Sequence, residues 1–160
     1  MDINKLYFVD NNALAKLEPK RRKSEFFRNH CRIPSQVLEE AGKPVDIDLL
    51  STLEYKINAG ILSKVKIVMK SLDSSDTSLV DLYHNRGYAD PFLVASALYA
   101  NAEESGKLLT VENVVVSDDK AVRRVCKEFG VSSIDTNSFK TILDERCRGS
   151  ENSKEATDGA

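Results

Sequence analysis

A short apolar run, Leu6 to Val9, stops at Asp10, and a β-branched run, Val114 to Val116, stops at Ser117, Asp118 and Asp119. Runs of this length bounded by turn residues have the pattern of buried strands. Before the next apolar run, Val131 to Ile134, the segment AVRRVCKEF puts Ala121, Val122, Val125, Cys126 and Phe129 on one face. Arg123, Arg124, Lys127 and Glu128 fall on the other, giving an amphipathic helix closed by Gly130. Strand, helix and strand in so short a stretch form a βαβ unit, which requires a parallel sheet with helices on its faces. The expected class is α/β.

Elsewhere Leu49, Leu50, Leu53 and Ile57 recur at helical spacing before Gly60, and Val65, Ile67 and Met69 alternate at strand spacing, so a helix and then a strand are expected. Ser74, Ser75 and Asp76 offer caps for a helix around Leu79 to Tyr83 that stops at Gly87. Asp90 and Pro91 then open FLVASALYANAEE, whose apolar start predicts a deeply packed helix. Residues 1–145 read as one domain. Residues 146–160, ending in GSENSKEATDGA without a large apolar side chain, read as a disordered tail.

Composition narrows the function. With 41% hydrophobic and 30% charged residues, the 160-residue chain is that of one globular domain. Twenty-three basic against 25 acidic residues give a formal charge of −2, so any nucleic-acid contact must be local. No apolar run is long enough to span a bilayer, and MDINKLYFVD lacks the basic head and apolar stretch of a secretory signal, so a cytoplasmic protein is expected. Cys31, Cys126 and Cys147 fit no CxxC or zinc pattern, and Cys126 reads as core.

In an open parallel sheet, acids placed just after strands converge on one rim. Asp10 and Asp119 hold such positions, and Asp90 at a helix start and Glu39 or Glu40 after Pro34 can reach the same rim. Crowded carboxylates repel unless a cation neutralises them, and hard oxygen donors select Mg²⁺ or Mn²⁺ over zinc, for which only His30 and His84 are present. Taken singly, an Asp after a strand is ordinarily a turn former or helix cap. Asp90 before Pro91 is ordinary helix-starting chemistry, and Asp118 is a plausible cap that leaves Asp119 free, although the two can trade roles.

The stretches YFVDNNAL, IPSQVLEE, GYADPFLVASAL and VVVSDDKAVRRVCKEFGV followed by SSID span nearly all of residues 5–140. In order and spacing they resemble the PIN-domain nucleases, most of all the VapC-type toxin ribonucleases. The resemblance implies a three-layer sandwich around a mostly parallel sheet of about five strands. It places the acidic quartet on Asp10, Glu40, Asp90 and Asp119, with Asn12 and Ser117 in supporting positions. It implies hydrolysis of RNA phosphodiester bonds at a Mg²⁺ or Mn²⁺ site held by Asp10, Asp90 and Asp119, with Glu40 a further ligand or the group that orients the attacking water. It further implies a homodimer restrained by a small antitoxin protein. Glu39 beside Glu40 and Asp118 beside Asp119 leave a one-residue choice, and Asp135 is a fifth acid whose simpler reading is a strand-end turn. A housekeeping RNA-processing or flap-type nuclease, or a non-catalytic RNA-binding scaffold, are the alternatives.

An acidic site needs positive charge beside it to hold RNA. Lys20, Arg21, Arg22, Lys23, Arg28 and Arg32 crowd one stretch with Phe26 and Phe27 and are the candidate phosphate contacts, the alternative being a solvated basic face over buried phenylalanines. Arg86, Arg123 and Arg124 are weaker candidates.

Overall fold

The computed structural model describes residues 4–72 and 90–155. The helix expected over residues 74–87, with His84 and Arg86, lies outside them. The elements are β1 (Asn4–Val9), α1 (Asn11–Lys16), α2 (Pro19–Arg22), α3 (Glu25–His30), β2 (Cys31–Pro34), α4 (Ser35–Ala41), α5 (Ile47–Thr52) and β3 (Glu54–Tyr55). They continue as α6 (Ala59–Ser71), α7 (Asp90–Glu104), β4 (Val111–Val116), α8 (Lys120–Glu128), β5 (Ser132–Ile134) and α9 (Thr136–Glu155). All five strands are parallel, in the order β3-β2-β1-β4-β5. This is the expected three-layer α/β sandwich.

The two central strands run in register from Asn4↔Val111 to Val9↔Val116. Phe8, Val9, Val115 and Val116 are fully buried, as expected of strands covered on both faces. Alternation along β1 sends Tyr7 to one layer, where it meets Phe26 of α3 and Phe139 of α9, and Phe8 to the other, edge-on to Tyr55 at 5.0 Å. The βαβ unit forms as expected. Val122, Val125 and Cys126 of α8 are buried, and Gly130 at φ 69° ends the helix with Val131 N–H donating to Cys126 O at 2.8 Å.

The expectations between Leu49 and Met69, and that for the tail, need correction: the helix expected through Leu53 and Ile57 ends at Thr52, and Glu54–Tyr55 form β3. Val65, Ile67 and Met69 belong to α6, a helix, because the Asn58 side chain accepts from Ile61 N–H at 2.9 Å and starts a turn that the alternating valine, isoleucine and methionine continue. Gly60 does not stop a helix. It lies in the first turn of α6, where a Cβ would come within 2.3 Å of Tyr99, so its bare backbone lets α7 close in. The second correction concerns the tail: α9 carries helical backbone to Glu155, ten residues into the stretch read as disordered. Phe139 and Leu143 anchor the helix in the core, and the turns beyond them extend it without further apolar residues. No helix among the described residues is long and apolar enough to cross a membrane.

Candidate functional site

The strand order reverses direction between β1 and β4: the chain builds β1, β2 and β3 to one side and then β4 and β5 to the other. Such a switch point leaves a crevice at the carboxyl ends of its two strands, where open α/β sheets bind ligands. Asp10 follows β1 and Ser117 follows β4 at this place. The ladder runs one step past the strands, with Asp10 N–H donating to Val116 O at 3.1 Å and Ser117 N–H to Ile134 O at 3.0 Å.

Asp10 is 5% exposed and caps α1, its Oδ1 accepting from Ala13 N–H at 2.6 Å. Burial pushes its carboxyl above the usual range, opposed by hydrogen bonds from Ser117 and Ala13 and reinforced by Asp118 and Asp119. Ser117 is fully buried and joins the two halves of the site. Besides bonding Asp10, its Oγ accepts from Asp119 N–H at 3.1 Å. Asp119 is exposed and caps α8 through Ala121 N–H at 2.7 Å. Capping and site roles are therefore not exclusive, since the bond to Ala13 or Ala121 uses one carboxylate oxygen.

Asp90 is the first residue of α7, partly buried. Its carboxyl is pushed up to about 7, first by desolvation and then by the charges of Asp119, Asp10 and Glu40. Asp119, Asp10 and Glu40 thus lie within electrostatic reach of Asp90. Of the adjacent Glu39 and Glu40, both exposed on α4, Glu40 is the one whose charge bears on Asp90. Asn12 is exposed in the first turn of α1.

The tandem acids divide their roles in the opposite sense to the reading that gave Asp118 the cap. Asp119 takes the cap. Asp118 pairs with Lys16 Nζ and accepts from Thr136 N–H at 2.8 Å, and the bond to Lys16 is the largest cause holding its carboxyl down to about 2. Lys16 also feels the charge of Asp10, so it is a cation at the rim that the sequence did not single out. The two partners are 102 residues apart, and no local pattern announces the pair. Asp135 caps α9, accepting from Ser138 N–H at 2.8 Å, in keeping with its simpler reading.

The basic stretch separates into distinct groups. Lys20, Lys23 and Arg28 are exposed. Arg21 reaches α9 in a bidentate pair with Asp144, at 3.0 and 3.1 Å. Arg22 is removed from the candidate RNA surface by burial: at 8% exposure its Nε stands 3.1 Å from Asp46 Oδ2. That contact lies off the line of a hydrogen bond, leaving Nε and both Asp46 oxygens without a hydrogen-bond partner. Arg32 is partly buried and donates to Cys31 O at 2.6 Å. Arg123 adds positive charge near Asp135, and Arg124 stands 3.9 Å from Glu128.

Among the described residues no three His, Cys, Asp or Glu side chains already form a cage that could enclose an ion. The donor set nonetheless fits a hard divalent cation. It is made of carboxylate oxygens, and the like charges around Asp90 raise its carboxyl in the way a cation would relieve. The chain matches no model of a known protein family, and no curated protein sequence matches it.

Proposed function

We propose that the protein is a metal-dependent endoribonuclease of the PIN type, with Asp10, Asp90, Asp119 and Glu40 as its acidic site. The observation that carries this reading is the gathering of Asp119, Asp10 and Glu40 around the partly buried Asp90 at the switch point of a parallel sheet. Asp10, Asp90 and Asp119 would hold Mg²⁺ or Mn²⁺, with Glu40 joining them or orienting the attacking water. The bound cation would supply an activated water and neutralise charge on the scissile phosphate.

The chain's own residues have separate tasks. Ser117 ties the Asp10 carboxylate to the backbone of Asp119, so the two acids keep one relative position. Asp118 holds the turn before α8 against α1 and α9 through Lys16 and Thr136, which leaves Asp119 to the site. Asp90, its carboxyl pushed up to about 7, would give up its proton on holding a cation. Asn12 is a polar group two residues after Asp10 that can bind the substrate or a water.

In this reading the substrate is single-stranded RNA, and the protein is a cytoplasmic homodimeric toxin of a type II toxin–antitoxin pair, restrained by a small antitoxin protein. Purified protein should cleave single-stranded RNA with Mn²⁺ and not in EDTA, and Asp10→Asn should be inert with an unchanged circular dichroism spectrum. Cleavage by Asp10→Asn at saturating Mn²⁺ would overturn the assignment. The toxin role is checked by growth arrest on expression, which Asp10→Asn should relieve.

A further inference from the structure

On the layer that carries α3 and α9, away from the carboxylates, the helices leave a groove of about 750 Å³. A second hollow of about 360 Å³ shares Glu25, Cys147 and Ser150 with it and continues along α9. The first is lined by Lys20, Lys23, Arg28 and Arg148. Its acids are largely spoken for: Asp144 is bound by Arg21, and Glu18 lies 3.5 Å from the same guanidinium. Among the described side chains that line the groove, Lys20, Lys23 and Arg28 carry no ion pair, and Glu25 is the acid left to oppose them. A chain of formal charge −2 therefore concentrates free positive charge in one place.

The second hollow differs in chemistry. The His30 ring stacks on Phe26 with centroids 4.4 Å apart and planes 20° from parallel, and the Arg146 guanidinium lies 5.8 Å from the centre of the same phenylalanine ring. Free cations followed by a stack of planar groups match alternating phosphates and bases, the arrangement by which single strands are held without sequence readout. An acidic peptide would satisfy the cations and leave the planar groups unused.

We infer that the groove between α3 and α9 binds single-stranded RNA, with Lys23, Arg28 and Arg148 on phosphates and the outer planes of His30 and Arg146, backed by Phe26, on bases. The ligand class follows from the function proposed above, but the binding needs neither metal nor turnover. At 1.5 Å per residue, Arg148 stands roughly 18 Å along α9 from Thr136 at the rim. A stacked strand advancing about 3.4 Å per phosphate covers that span in roughly five nucleotides. The groove thus holds the strand at a distance from the bond that is cut.

The test is fluorescence anisotropy of the full-length protein with a dodecameric oligouridine in EDTA, across a salt series. The triple variant Lys23→Gln/Arg28→Gln/Arg148→Gln should bind about tenfold or more weakly at low salt, with a salt slope reduced by about 2, since each single-strand phosphate contact contributes about 0.7. The charge-keeping variant Lys23→Arg/Arg28→Lys/Arg148→Lys should bind like wild type, which separates lost charge from lost fold. Wild-type affinity and slope in the triple variant would overturn the inference, as would displacement of the RNA by oligoglutamate of equal charge. If RNA is bound in this manner but never cut with Mn²⁺, the nuclease reading fails and the groove stands. If RNA is cut while the triple variant binds unchanged, the groove fails and the nuclease reading stands.

Discussion

Asp46 and Asp90 are both drawn out of water, Asp46 beside the guanidinium of Arg22 and Asp90 among the charges of Asp119, Asp10 and Glu40. A buried carboxylate beside an opposite charge has a partner within the fold. One drawn out of water among like charges has its carboxyl pushed up to about 7, and on the proposed reading a cation would relieve it. The first arrangement joins α2 to the start of α5 by charge alone, with Arg22 Nε and both Asp46 oxygens left without a hydrogen bond. The second sets like charges near one another in the folded protein, which supports the proposal that the rim is adapted to a ligand rather than to the protein's own stability.

The comparison breaks most visibly in activity. Neutralising the rim by Asp10→Asn or Asp119→Asn should abolish Mn²⁺-dependent RNA cleavage, whereas Asp118→Asn, which disturbs only the Lys16 contact and the start of α9, should retain most of it; end-point assays on a labelled RNA decide. On stability the order reverses. Arg22→Ala strands the Asp46 carboxylate and should cost about 3 to 5 kcal/mol in urea unfolding, while replacing both partners by apolar residues of similar volume should restore most of that loss.

Asp90→Asn should act with the opposite sign. Without metal at pH 8 it removes a charge that the fold disfavours, and the shift up to about 7 corresponds to a gain of about 2 to 4 kcal/mol. Because the folded carboxyl binds its proton more tightly than the unfolded one, wild-type stability in EDTA should fall as pH rises from about 4 to about 7. The Asn variant should lose most of that slope, keeping the part that Asp10 contributes in the same direction. Asp118 works in reverse, its stabilisation fading as pH drops from about 4 toward about 2. Thermal melts across pH with and without Mn²⁺ test both signs, and a variant that melts like wild type throughout would reduce Asp90 to a helix starter. The smallest effect belongs to Asp135→Ala, which loses the cap of α9 and should cost about 0.5 to 2 kcal/mol with cleavage retained.

The layers were legible wherever burial imposes a period. The runs at Leu6 to Val9 and Val114 to Val116, the face of α8 and the apolar start of α7 all read correctly, because each must meet the core at fixed spacing. Val65, Ile67 and Met69 misled because α6 buries only Ile61 and Val68, so its pattern is weak, and the helix is decided by the Asn58 cap instead. The two-residue β3 is too short to carry a pattern. For the candidate site, Asp10, Asp119 and Asp90 were visible from their positions after strands and at a helix start, whereas Glu40 lies in the last turn of α4. What they face was not visible. The pairing of Lys16 with Asp118, and the burial of Arg22 against Asp46, are made across turns of chain that carry no local sign, and so Arg22 read as a surface cation until its environment was known.

The pairing of β1 with β4 also sets an order of events during synthesis. β1 leaves the ribosome first, yet one of its two edges has no neighbour until β4 follows, after β2, β3, α6 and α7 have been made. Contacts so distant in sequence form slowly because a long loop must close first, and meanwhile an open strand edge invites pairing with other chains. A nascent chain that has not yet reached Asp119 holds Asp10, Glu40 and Asp90 but lacks the fourth acid and the completed β1–β4 edge beside it. On the proposed reading, an unfinished copy of this nuclease is harmless to the RNA from which it is being translated.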